Sequence, residues 1–298
     1  MSAQFLLSIM EIIRIPRIMH DTARNYILRG KSIGFVPTMG ALHEGHMSLV
    51  RRSCHENDIT IVSIFVNPLQ FGPSEDFQQY PRDFDADSER LRNEEVDILF
   101  LPDSSSMYPD RFDTYIEVGD IAKKLCGAFR PGHFRGVATV VAKLFNTVNP
   151  VRAYFGQKDF QQTLVIKQMI RDLDMNVDSI VCPTVREKDG IAVSSRNVYL
   201  DAAQRDAATV IFKSLNEASE SIKAGERDAG SVRDMMRQRI MTEEMISEID
   251  YIGVYDPETL DEASLAEKEV LLAVAVRIGK TRLIDNMIVD FEKKRLSA

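Results

Sequence analysis

The sequence predicts an α/β protein, with a doubly wound, Rossmann-like parallel sheet followed by a second, smaller C-terminal α/β domain. At 298 residues and 44% hydrophobic content, the chain can bury a sizeable core. In its first part short apolar runs alternate with longer helical patterns, the order expected of parallel strands joined by crossover helices. From Asp201 onward the texture changes to charged helices followed by strand-like runs.

Strands are expected at residues 9–13, 32–36, 59–66, 97–101 and 153–155, and helices at 17–29, 43–54, 84–94, 135–147 and 160–172. Later helices are expected at 201–224 and 231–248, and later strands at 251–254 and 270–276. Pro183 interrupts the pattern, so the predicted division is a nucleotide-binding domain over residues 1–182 and a smaller domain, suited to act as a lid, over 183–298. In an open doubly wound sheet, ligands lie beyond the carboxyl ends of the strands.

Composition narrows the class. Lys plus Arg number 37 against 45 Asp plus Glu, a formal net charge of -8. That balance disfavours nonspecific attraction to nucleic acid or anionic membrane. Cys54, Cys126 and Cys182 are odd in number and widely spaced, unlike a disulfide framework or a paired zinc motif, which suits a reducing compartment. The apolar stretch Phe5-Leu6-Leu7-Ser8-Ile9-Met10 is short and has no basic residue before it, so it reads as a first strand rather than a signal peptide. No apolar run approaches the roughly 20 residues of a membrane-spanning helix. A soluble, cytoplasmic protein is expected.

Three segments carry chemistry. The first is Gly34-Phe35-Val36-Pro37-Thr38-Met39-Gly40-Ala41-Leu42-His43-Glu44-Gly45-His46, an apolar strand entering a small-residue turn and then a helix start. His43 and His46, three apart, share a helix face directed at whatever occupies the helix N-terminus, where an anion is favoured. Gly40 and Gly45 let a ligand approach the backbone. Zinc binding and a purely buried, satisfied role are the alternatives; the zinc peptidase pattern spaces its histidines four apart.

The second segment, Tyr154-Phe155-Gly156-Gln157-Lys158-Asp159-Phe160-Gln161-Gln162, repeats the strand, glycine turn and helix start. Lys158 can reach phosphate oxygens, Asp159 can cap the helix or bind a ribose hydroxyl, and Gln162 lies further along the same face. Alone, it also reads as a solvated helix start. The third, Val185-Arg186-Glu187-Lys188-Asp189-Gly190-Ile191-Ala192-Val193-Ser194-Ser195-Arg196-Asn197, brings two hydroxyls and a guanidinium, donors that can clamp a triphosphate. An ordinary turn or helix cap is its bland reading.

Together the segments resemble the nucleotidylyltransferase superfamily, with His43-Glu44-Gly45-His46 matching its His-x-Gly-His signature and Val193-Ser194-Ser195-Arg196 its mobile loop. Further strings sharpen the likeness: Phe65-Val66-Asn67-Pro68-Leu69-Gln70-Phe71-Gly72, Tyr80-Pro81-Arg82, Arg130-Pro131-Gly132-His133-Phe134-Arg135-Gly136-Val137 and Pro183-Thr184-Val185-Arg186-Glu187. In this order they resemble the pantothenate synthetase family.

The resemblance implies ATP-dependent condensation of pantoate with β-alanine through a pantoyl-adenylate, releasing pyrophosphate and then AMP. It implies ATP contacts at Met39, Gly40, Ala41, Leu42, His43, Glu44, Gly45, His46, Gly156, Gln157, Lys158, Asp159, Val185, Val193, Ser194, Ser195 and Arg196. His43, His46, Lys158, Ser194, Ser195 and Arg196 are the catalytic set, and a hydrogen-bond donor to phosphate is the physical role that suits His46. Gln70 and Gln162 match residues that hold pantoate, and Arg130 either touches substrate or pairs with an acidic neighbour. Mg2+ is expected with the triphosphate, Asp87 ranking before Asp85 as its protein ligand. A homodimer is expected from the resemblance alone.

Val193 stands where the family commonly has methionine, and Gln157 where glutamate is usual; both leave the phosphate contacts in place. The competing readings are an adenylyltransferase that stops at nucleotide transfer to a phosphorylated acceptor, which needs more cations at its acceptor pocket, and a nucleotide-sensing protein without catalysis. A tRNA-binding synthetase is disfavoured by the negative charge and by the absence of an anticodon-binding extension.

Overall fold

The computed structural model describes residues 10–73, 75–267 and 269–290. Residues cluster into two compact units. The first comprises residues up to Gly119, Arg130–Gly156 and Val165–Pro183; the second comprises Asp120–Phe129, Gln157–Leu164 and the residues from Thr184. The second unit runs continuously from Thr184 and also takes in two earlier segments.

The first unit is built on a six-stranded parallel sheet of β1 (Glu11–Ile13), β2 (Ile33–Thr38), β3 (Ile59–Ile64), β4 (Ile98–Phe100), β5 (Arg152–Gly156) and β6 (Asp178–Cys182), in the order β1-β4-β3-β2-β5-β6. The expected parallel sheet is present; the 9–13 strand begins at Glu11 among the described residues, and 5–9 lie outside them. Its helices are α1 (Pro16–Leu28), α2 (Glu44–Glu56), α3 (Phe84–Asn93) and the short α4 (Ser104–Met107); α5 (Cys126–Phe129) falls in the second unit, and α6 (His133–Val148) returns to the first. α7 (Phe160–Asp172) begins in the second unit and ends in the first.

Strand alternation fixes which face each helix covers. Val36 and Tyr154 pack with Leu42, just before α2, with Met47 and Val50 of α2 and with Leu91 of α3. Their neighbours in sequence, Phe35 and Phe155, point the other way and meet Phe145 of α6 edge-on, with ring centroids 6.5 Å apart. The sheet is therefore covered on both faces, the reason its strands are apolar throughout rather than alternating. Gly34 is required by close packing, since a Cβ there would stand 2.3 Å from Ser53 Oγ and 2.4 Å from Asn57 Nδ2.

The second unit holds an antiparallel sheet of β7 (Ile246–Tyr255), β8 (Val270–Ile278) and β9 (Thr281–Val289) with α8 (Ala202–Ala207), α9 (Thr209–Ala224) and α10 (Ala229–Met241). One face, with Leu272, Val274 and Val276, packs on Leu215 and Ile222 of α9 and on Val232 and Met236 of α10. The other, with Leu271 and Ala273, packs on Ile121, Leu125, Phe160 and Leu164. That second face explains why residues 120–129 and 157–164 group with the C-terminal part.

Two expectations are corrected. The helix expected over 201–224 breaks at Ala208, and the helix expected over 231–248 stops at Met241, because Ile246 and Glu248 already pair with Ile278 and Arg277 in the sheet. β6 and β9 were not anticipated.

Candidate functional site

In the first unit the strand order reverses at β2, which lies between β3 and β5, so the carboxyl ends of β2 and β5 stand side by side at a topological switch point. The chain leaves β2 through a left-handed turn, Gly40 at φ 82° and Ala41 at φ 50°. For alanine that conformation costs roughly 1–2 kcal/mol, so something must hold it. Thr38 Oγ1 accepts from Gly40 N at 3.2 Å, and the Asp87 carboxylate accepts from Ala41 N at 2.9 Å and Leu42 N at 2.7 Å. Asp87 is buried at 3% exposure. Burial pushes its carboxyl above the ordinary range, opposed by the Leu42 and Ala41 amides.

α2 begins next. His43 is its N-cap, and the His43 backbone N–H donates to His46 Nδ1 at 3.4 Å. The two rings lie 4.1 Å apart, tilted by 30°, so the expected pairing on one helical turn is present. A Cβ at Gly45 would come within 2.9 Å of His43 Cε1, which accounts for glycine between the histidines. Among the described residues no group of three or more His, Cys, Asp or Glu side chains could hold a metal ion, so zinc gains no support.

Beside this turn lies a polar cluster. The Gln70 side chain donates to Met39 Sδ at 2.9 Å and accepts from Asn67 Nδ2 at 3.1 Å. Asn67, 1% exposed, also donates to the Gly136 carbonyl and accepts from the Tyr108 hydroxyl. Its amide thereby fixes which end of Gln70 donates. Arg130 pairs with Glu75 through two hydrogen bonds, at 2.7 and 2.6 Å, and donates to the Gln70 carbonyl at 3.2 Å. His133 Nδ1 lies 2.8 Å from that same carbonyl.

The second unit carries the other predicted residues. Beyond Gly156, the turn Gln157–Asp159 holds Lys158, half-buried, with Nζ 3.8 Å from an Asp159 carboxylate oxygen. Gln162 is half-buried on α7, whereas its neighbour Gln161 is structural, accepting from Cys126 N and donating to the carbonyls of Ile121 and Lys124. Val185 and Val193 pair through their backbones in a hairpin, Val193 N to Val185 O at 3.0 Å, which delivers Ser194, Ser195 and Arg196. Ser194 Oγ accepts from Arg196 N at 3.3 Å and caps the turn Ser195–Tyr199.

Sequence reasoning missed Asn67, Asp285 and Asn286. The latter two, buried in β9, were signalled by two adjacent polar residues interrupting the apolar run 283–289. No closed metal cage exists among the described residues, and the Asp87 oxygens each hold a backbone donor, a donor set suited to an ion that keeps phosphate and water ligands.

A strand-to-helix turn with a stacked histidine pair at the switch point of a parallel sheet defines a nucleotide-binding α/β enzyme. The pantoate-beta-alanine ligase family model matches residues 11–288, and the chain belongs to that family. It is thus a ligase that joins pantoate to β-alanine at the expense of ATP. A pantothenate synthetase of Thermodesulfovibrio yellowstonii is 57% identical over 281 residues, covering 94% of this chain and 100% of the relative. The crystal structure of pantothenate synthetase from Thermus thermophilus superposes with a TM-score of 0.89 at 41% identity, covering 93% of this chain and 99% of that one. Pantoate-beta-alanine ligase from Francisella tularensis, complexed with beta-gamma ATP and beta-alanine, gives a TM-score of 0.78 at 37% identity over 94% of this chain and 98% of that one.

Proposed function

We propose that the reaction proceeds in two steps: a pantoate carboxylate oxygen attacks the α-phosphorus of ATP and expels pyrophosphate, and the neutral β-alanine amine then attacks the acyl carbon and expels AMP. The amine must lose a proton to attack. The observation that supports this reading best is the stacked His43–His46 pair at the start of α2, beside a turn whose amides are already ordered. No protein nucleophile is needed; the work is alignment and neutralisation of charge on phosphorus and pyrophosphate.

In this reading ATP contacts Met39, Gly40, Ala41, Leu42, His43, Glu44, Gly45 and His46, and also Gly156, Gln157, Lys158, Asp159, Val185, Val193, Ser194, Ser195 and Arg196. His46 donates to phosphate, and Lys158, Ser194, Ser195 and Arg196 neutralise the leaving pyrophosphate. The Gln70 amide, its sense set by Asn67, offers its donor end to the pantoate carboxylate, with Gln162 binding the same substrate. An acid lacking pantoate's hydroxyl leaves a buried amide unpaired and is rejected. Mg2+ shields the triphosphate, and Asp87 keeps lone pairs with which to lend it one protein oxygen. Arg130 stands with Gln70 and Gln162 in the substrate-binding set and also braces the Gln70 turn through its carbonyl. A homodimer working in the cytoplasm fits the family, and no helix among the described residues is long and apolar enough to cross a membrane.

Omitting pantoate, β-alanine and ATP in turn from a coupled AMP assay tests the reading. Pyrophosphate should require pantoate, and AMP should require β-alanine as well. His46→Ala should lower adenylate formation by about 100-fold or more with the fold retained; an unchanged rate removes His46 from the mechanism.

A further inference from the structure

We propose that Asn286 is a positioning residue for Lys158, and that the adjacent pair Asp285 and Asn286 is one anchor for both loops of the second unit that carry phosphate-binding groups. The inference rests on the reading of Lys158 as an ATP contact. Asn286 is buried at 4% exposure, and its side-chain amide donates to the Gln157 carbonyl at 3.0 Å and to the Lys158 carbonyl at 2.9 Å. These carbonyls belong to the short 3-10 turn Gln157–Asp159, which runs from β5 straight into α7. With both held by one planar amide, the backbone at Lys158 cannot rotate without orphaning the buried Asn286 amide, so the direction in which the lysine leaves the chain is set from β9.

The neighbouring residue does the same for the other loop. The Asp285 carboxylate receives Arg186 Nη1 at 2.6 Å and Nη2 at 3.0 Å. Arg186 in turn donates to the Gly190 carbonyl at 3.0 Å and the Asn286 carbonyl at 3.2 Å, with its guanidinium 4.7 Å above the Phe212 ring. That fixes the hairpin whose outgoing arm continues into Ser194, Ser195 and Arg196. A lone buried carboxylate on this strand would be costly; paired bidentately with arginine, it becomes a rigid mount. Gly190 is tied into the same packing, since its φ is 92° and a Cβ there would stand 1.9 Å from Phe212 Cδ1. Two consecutive residues thus index a lysine-bearing turn and a serine- and arginine-bearing hairpin to a single strand.

The test uses the full-length enzyme and pantoate-dependent pyrophosphate release. Asn286→Ala should lower kcat/KM for ATP by about tenfold to 100-fold, while KM for β-alanine changes less than about twofold. Asn286→Ser, which keeps one donor, should fall between Asn286→Ala and the wild type and guards against a fold failure of the alanine variant. Because the residue acts through Lys158, adding Asn286→Ala to Lys158→Ala should cost less than about twofold more. Equal losses in both backgrounds, or wild-type ATP dependence in Asn286→Ala, overturn the proposal while leaving the reading of Lys158 intact. A wild-type rate in Lys158→Ala alone overturns both, and is recognised from that single variant.

Discussion

Gly45 illustrates how one missing methyl group decides geometry. Early in a helix, glycine costs roughly 0.5–1 kcal/mol relative to alanine, so Gly45→Ala should by itself stabilise the fold. A Cβ would, however, stand 2.9 Å from His43 Cε1 and 3.0 Å from its Nδ1, pushing that ring off His46. The expected outcome is a melting temperature equal to or slightly above wild type, with adenylate formation reduced about tenfold or more; paired thermal melts and pyrophosphate assays check it. The histidines were legible because a three-residue spacing brings the N-cap and the third helical residue together in a capping box. The task of Asp87 was not, because the amides it holds lie 45 and 46 residues earlier and no local pattern links a carboxylate to distant backbone donors.

At the scale of elements, α6 carries the turn Pro68–Gln70. Gly136 lets them touch, since a Cβ there would fall 2.2 Å from the Leu69 carbonyl oxygen, and Arg130 with His133 holds the Gln70 carbonyl from the residues leading into and starting the helix. The Arg130–Glu75 pair is half of that brace. Burial raises the Glu75 carboxyl, but the hydrogen bond and charge of Arg130 outweigh it and hold the group below its ordinary 4.5. For an acid with a depressed folded value, the stabilisation is complete above about pH 4.5 and is lost as pH falls through the lower folded value. Glu75→Gln should therefore flatten the acid limb of the stability profile, measured by denaturant melts between pH 3 and pH 6, on a scale of about 1–3 kcal/mol. The parallel strands were readable as apolar runs with helices between them. β6 was missed because its five residues sit where the pattern breaks before Pro183, and the start of β7, ahead of the strand expected at 251–254, was read as helix because Ile246 and Glu248 continue a helical charge pattern until pairing with β8 overrides it.

For the whole molecule, the proposed need for Mg2+ predicts that chelation separates catalysis from folding. With no metal cage among the described residues, EDTA should abolish pyrophosphate release, Mg2+ should restore it, and the melting temperature without nucleotide should not move. The existence of two units was visible in the change of texture after Asp201, but not their interleaving. Residues 120–129 and 157–164 join the second unit through contacts of Ile121, Leu125, Phe160 and Leu164 with β8 and its neighbours, partners encoded far downstream. The lysine turn is the sharpest case, since the amide that braces it lies 128 residues later. A ribosome reads from the N-terminus, so the nascent chain displays Lys158 long before β9 exists to aim it. The parallel sheet can assemble during translation, whereas on the proposed role of Lys158 competence to turn over nucleotide waits for β9 to emerge from the exit tunnel.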